Sequence, residues 1–207
     1  MRHTSACIAL SLAVAGLPVP ASAATFVFSS PLAPEVSGAT GSGLVTVTYN
    51  DVAHTLDITA SWSGLSGATT VAHIHCCTAS PGVGFAGIAA TPPTLPGFPT
   101  GLGEGSYSLT GLDLTSNATY SPAFLTASGG SAALAEQRLF QNMLSRQAYF
   151  NVHSSTFGGG EIRGFLALVP EPATWAMLIA GFGWVGGMMR RRHVGAKIAW
   201  NRRRRIA

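Results

Sequence analysis

Thr55-Leu56-Asp57-Ile58-Thr59-Ala60-Ser61-Trp62 carries an apolar residue at every even position and a polar one at every odd position. Successive side chains of a strand project to opposite faces, so this alternation predicts a strand with one buried and one wetted face. Just upstream, Leu44-Val45-Thr46-Val47-Thr48-Tyr49 is rich in β-branched and aromatic residues. Asn50-Asp51-Val52-Ala53-His54 supplies turn chemistry between the two, which predicts a hairpin. Further strands are expected at Thr25 to Phe28, Thr70 to His75, Ser106 to Thr110, Ala148 to His153 and Glu161 to Val169, most of them separated by glycine-containing turns. Many short strands punctuated in this way predict a mainly β fold, an antiparallel, Greek-key-like sandwich or barrel. One inserted helix is expected at Ser131 to Arg146, where Leu139, Phe140, Met143 and Leu144 supply an apolar face and Ala132, Ala133 and Ala135 favour the helix. Ala79 to Gly103, with Pro92-Pro93 and Pro96, reads as a long loop, and loops of that length in a compact domain are usually functional or disordered.

Composition agrees with this reading. Of the 207 residues 47% are hydrophobic and only 10% charged, which excludes a charged disordered chain, and 25 glycines with 12 prolines argue against a helical bundle. The formal net charge of +4 is unevenly placed. Arg190, Arg191, Arg192, Lys197 and Arg202 to Arg205 hold eight of the 12 basic residues. Between residues 24 and 170, three arginines stand against seven carboxylates, a net charge of −4. No nucleic-acid partner is expected for such a body.

The two ends read as addresses. In residues 1–23, Arg2 and His3 precede an apolar run from Cys7 to Leu17, then Pro18 and Pro20, then the small-x-small pattern Ala21-Ser22-Ala23. That is the order of an export signal, a short N-terminal signal helix removed near Ala24. At the other end, Pro170-Glu171-Pro172 stops the preceding structure, because two prolines fit neither a strand ladder nor a helix interior. Ala173 to Met189 then runs 17 residues without a charge, a transmembrane helix of about 25 Å. Arg190-Arg191-Arg192 follows, and the positive-inside rule keeps those arginines cytoplasmic while residues 24–169 are exported. Pro170-Glu171-Pro172, Trp175-Ala176-Met177, a glycine-bearing apolar helix and an arginine cluster, in that order, resemble the PEP-CTERM sorting signal. The resemblance implies recognition and cleavage near Pro170 to Pro172 by an exosortase. It also implies a membrane-anchored precursor (residues 170–192 forming the anchor) and release to the cell surface or an exopolysaccharide-containing matrix, with saccharide or other matrix proteins as partners. The basic tail 193–207 departs from that pattern, whose members usually stop soon after the first arginines.

His73 and His75 are two residues apart and project from one face of their strand, and on the next candidate strand Asn151 and His153 share a face opposite to Phe150 and Val152. With the apolar residues facing the core, the three imidazoles point away from it. If the strands are neighbours they converge on the outer face as a copper or zinc ligand set. The alternative is structural: hydrogen bonds from these histidines to the adjoining loop and to Glu161 or aspartates, fixing the glycine- and proline-rich segment over the sheet, with no cofactor. His54, in a turn, is given no role, and Glu161 and Arg163 on one strand face read as a structural salt bridge or a cross-strand pair rather than a site. Cys76 and Cys77 are the cysteines left once Cys7 departs with the signal. In an oxidising space they can form a vicinal disulfide, remain thiols, ligate metal or crosslink chains. G-x-S-x-G, H-E-x-x-H and a phosphate-cradling loop are absent, and the body has no lysine, so no enzyme activity is expected.

Trp62-Ser63-Gly64-Leu65, Thr70-Val71-Ala72-His73-Ile74-His75, the helix 131–146, Ala148-Tyr149-Phe150-Asn151-Val152-His153 and Gly159-Gly160-Glu161-Ile162-Arg163-Gly164 together resemble the CHRD (chordin) domain over residues 24–169. The resemblance implies an extracellular β domain, and it implies a fold more firmly than a function. The H-x-H strand and the Gly-Gly-Glu-Ile-Arg-Gly strand are also distantly similar to copper/zinc superoxide dismutase, which holds copper outside a β-barrel. No further histidine cluster or zinc-binding aspartate falls in residues 78–104, so dismutase activity is not expected.

Overall fold

The computed structural model describes residues 24–170, 177–185 and 190. β1 (Thr25–Pro34), β2 (Ser42–Asn50) and β3 (Thr55–Ser63) form an antiparallel meander. Register aligns the alternating residues of each strand, so Phe28 lies opposite Val47 and Val47 opposite Ile58, and all three are fully buried. The hairpin turn is closed by Asn50 Oδ1, which accepts from the N–H groups of Val52 and Ala53. His54 then takes the left-handed conformation, with φ 53°.

The remaining strands are β4 (Thr69–Cys76), β5 (Ile88–Ala90), β6 (Gly105–Asp113), β7 (Ala148–Ser154), β8 (Ile162–Phe165) and β9 (Ala167–Leu168). Their order in the sheet is β5-β4-β7-β8-β1-β2-β3-β6, with β9 paired to β1, and every pairing is antiparallel. The fold is thus mainly β, as expected, and takes the form of a curled sheet, a half-barrel with β5 and β6 at its two free edges.

Helices are more numerous than the single one expected. A 3-10 turn at Asn117–Thr119 and the short α1 (Pro122–Ala127) precede α2 (Ala132–Leu144), which occupies the anticipated segment. α1 begins with Ser121 Oγ accepting from the Phe124 N–H and with Pro122 in the first turn, and six residues leave too little room for a helical period to show in sequence. α2 is capped by Ser131 and buries Ala135, Leu139 and Met143, four residues apart on one face. Phe140 meets Phe26 edge-on at 4.9 Å and lies 4.5 Å from the ring of Tyr49, so the helix closes over the inner side of the β1–β2 pair.

The site depends on a second covering layer. All seven residues of β7 and the last five of β4 are buried, so these strands are enclosed on both faces. One face meets the apolar core. The other lies under the glycine- and proline-rich segment between Cys77 and Glu104, from which β5 adds to the edge of β4.

Among the described residues no helix is long and apolar enough to cross a membrane. The helical stretch 177–185 falls within the expected span 173–189 and exposes Met177, Ile179, Phe182 and Trp184. The signal segment 1–23, Glu171 and Pro172 of the sorting motif, Arg191, Arg192 and the tail 193–207 lie outside the described residues.

Candidate metal centre

His73 and His75 project from β4 toward the covering segment, and β7 lies beside β4 with Asn151 opposite His73 and Tyr149 opposite His75. His153, two residues along β7 from Asn151, enters the same layer. The three histidines that parity singled out are therefore brought together: each offers one ring nitrogen, and these nitrogens all lie within 4.8 Å of one another. The expected open outer face is not what they occupy. They are 3%, 7% and 7% exposed, because the loop covers the face that alternation marked as wet.

Each ring uses one nitrogen on a backbone carbonyl. His73 Nε2 bonds the oxygen of Pro93 at 2.6 Å, His75 Nδ1 that of Ala86 at 2.9 Å, and His153 Nδ1 that of Gly158 at 2.9 Å. A carbonyl oxygen only accepts, so these nitrogens carry the protons and their opposite numbers, His73 Nδ1, His75 Nε2 and His153 Nε2, are left with bare lone pairs. Those three nitrogens are buried without a hydrogen-bond partner. The structural alternative therefore holds for one side of each ring, through loop carbonyls and without Glu161 or any aspartate, and leaves the other side unexplained.

Acceptors gathered away from water without a donor are costly. A proton is a poor remedy here: burial pushes His73 down to about 4, with His153 and His75 opposing its charge, and burial likewise lowers His75. A metal ion satisfies all three at once. Bonds of about 2 Å would draw the nitrogens to roughly 3.5 Å apart, a modest closing of rings that already face one another. Fixing a ligand's tautomer through a carbonyl on its far nitrogen is the usual outer-shell arrangement of metal-bound histidine. Among the described residues no cysteine or carboxylate joins this group.

Around the rings lies a polar layer that sequence reasoning did not assemble. Tyr149 stacks on His75, with ring centroids 4.9 Å apart and planes 7° from parallel, and its hydroxyl donates to the Ala86 oxygen and accepts from the Ala86 N–H. Arg163 donates to Gly84 O at 2.6 Å and to Glu35 at 3.3 Å, and its guanidinium lies over the rings of Phe85 and Tyr149. Asn151 Nδ2 donates to the other oxygen of Glu35 at 2.6 Å. Burial raises the Glu35 carboxyl, opposed by the Asn151 hydrogen bond and the Arg163 charge. Gly160, with φ +128°, passes so close that a Cβ there would strike both Glu35 and Asn151. The bonds of Glu35 to Asn151 and Arg163 span 116 and 128 residues of chain, and no local pattern announces them.

Two expectations change here. Arg163 pairs with Glu35, and Glu161 instead accepts from the N–H and hydroxyl of Ser66, because the register carries β8 past the end of β1. His54, given no role, bonds Glu136 of α2 through Nδ1 at 2.9 Å. Cys76 and Cys77 are joined to each other, with Cys76 packed in the core on the face opposite the histidines. Of the sorting residues Pro170 alone of the Pro-Glu-Pro motif, together with Arg190, falls among the described residues.

No curated protein and no solved structure matches the chain. The family model of the CHRD domain matches residues 23–166, from the start of β1 to the end of β8 and through every element that builds the histidine layer. By that match, which covers well over half of its length, the chain belongs to the CHRD domain family.

Proposed function

We propose that the domain is a non-enzymatic metal-binding module that holds one copper or zinc ion between His73, His75 and His153. One observation carries this reading: three buried imidazole nitrogens converge with no hydrogen-bond donor among them. Nothing near them supplies a nucleophile or a general base oriented by a third group, so ion holding accounts for the arrangement better than hydrolysis does. The test is metal analysis of the full-length protein after loading with copper or zinc and removal of excess ion. One equivalent per chain is expected, falling to near zero in His73→Ala and in His153→Ala. A folded native protein that retains no ion removes the reading.

A second reading concerns where the module works. Export through residues 1–23, anchoring and exosortase processing through residues 170–192, and release to the surface or an exopolysaccharide matrix are supported by the sequence order of those segments. The exposed apolar side chains of the stretch 177–185 favour it too, since such a surface needs a lipid or protein cover.

A further inference from the structure

We infer that the centre selects monovalent copper, held three-coordinate, over zinc and cupric ions; this deepens the metal-site reading and rests on it. The donor set is three neutral nitrogens, with no thiolate or carboxylate among the described residues to offset an ion's charge. The site is also dry. Each bare nitrogen is buried, and the loop carbonyls of Pro93 and Ala86 close over the rings.

The cost of taking an ion out of water rises with the square of its charge, so a divalent ion meets about four times the penalty of a monovalent one in the same shell. Neighbouring charges do not relieve it. Glu35, held by Asn151 next to the histidine layer, and Arg163, lying over the Tyr149 ring, are paired with each other at 3.3 Å. As a pair they bring no net charge to the layer. Zn²⁺ in addition asks for a fourth ligand and Cu²⁺ for a tetragonal array, and three nitrogens under a closed loop supply neither. A monovalent ion with a filled d shell has no such demand and is stable with three donors in a plane.

The experiment uses full-length protein purified in mild detergent under anaerobic conditions, titrated separately with Cu⁺, Zn²⁺ and Cu²⁺ against a chromophoric chelator of known affinity. One equivalent of Cu⁺ is expected, with each divalent ion bound at least about a hundredfold more weakly, and X-ray absorption showing three nitrogen neighbours. Arg163→Gln, which alters no ligand and removes a positive charge beside the rings, is expected to narrow the Cu⁺-to-Zn²⁺ ratio by about tenfold. Zn²⁺ or Cu²⁺ bound as tightly as Cu⁺ by the native protein overturns the selectivity and leaves the metal site standing. A ratio unchanged in folded Arg163→Gln overturns its electrostatic basis. Binding of none of the three ions sinks the selectivity and the metal site together.

Discussion

The carbonyl of Pro93 and the carbonyl of Ala86 do for His73 and His75 what no side chain does: they fix which nitrogen holds the proton and leave the other bare. Side-chain parity along β4 and β7 was enough to place the three histidines on one layer, because a period of two survives whatever covers the sheet. The individual partners were not legible, since backbone carbonyls carry no residue signature and the partners of Glu35 lie 116 and 128 residues away. The same burial shapes the tyrosines. Burial pushes Tyr107 up to about 12, and burial also raises Tyr49, Tyr120 and Tyr149, so all four tyrosines of the chain resist ionisation when folded. A phenol whose folded pKa lies above its unfolded value of about 10 ionises first in the unfolded chain, so its effect is absent below that pH and stability falls as pH rises above it. Tyrosinate absorbance in the native protein is therefore expected to stay flat between about pH 10 and 11 and to appear together with loss of β circular dichroism. The same chain in denaturant should titrate smoothly near 10. A native titration centred there would show that the phenols are open to water.

At the scale of elements, α2 and the strands β2, β3, β4 and β7 were legible to within a few residues, whereas the strand expected at Thr25 to Phe28 runs on to Pro34 and the one expected at Glu161 to Val169 breaks into β8 and β9. β5 and α1 were not legible, because three and six residues give a period no room to declare itself. The covering loop was legible as a long loop, and the structural reading of the histidines already laid it over the sheet; which of its carbonyls would meet the rings was not legible. Its contacts with the histidine face of the sheet include Arg163, Tyr149 and the two β4 histidines, and Leu95 and Phe98 of the same loop reach the apolar core, while α2 packs on that apolar side through Leu139 and Met143. The two layers are thus separable by mutation. Leu139 is 1% exposed, and Leu139→Ala is expected to lower unfolding free energy by about 3 kcal/mol through lost transfer energy and the cavity left behind. Denaturant melts of apo and metal-loaded protein should show the same loss, with metal stoichiometry unchanged in the folded state. A loss of the ion at full folding would show that the helix layer and the histidine layer act as one unit.

At the scale of the whole molecule, the charges divide the chain into an acidic body and a basic end, with Val169-Pro170 at the boundary where the last strand has finished. Chain folded into a sheet cannot be fed through a processing enzyme, whereas a proline-bounded segment beyond the sheet can, so the proposed sorting cut would fall at Pro170 to Pro172 rather than within β1 to β9. The metal site gains from the same division. The three histidines of the proposed site all lie within the family-matched residues 23–166, and a cut after them leaves each histidine and its loop carbonyl in place. Pro170→Ala combined with Glu171→Ala is accordingly expected to hold the protein at full length in the membrane fraction of a host that has an exosortase. The unaltered chain should yield a shorter product outside the cell that still binds its ion. The readouts are gel mobility and metal content of each fraction. Equal release of a shortened product from the double variant would show that these residues do not direct processing, and release of a shortened product that has lost its ion would place the cut inside the sheet.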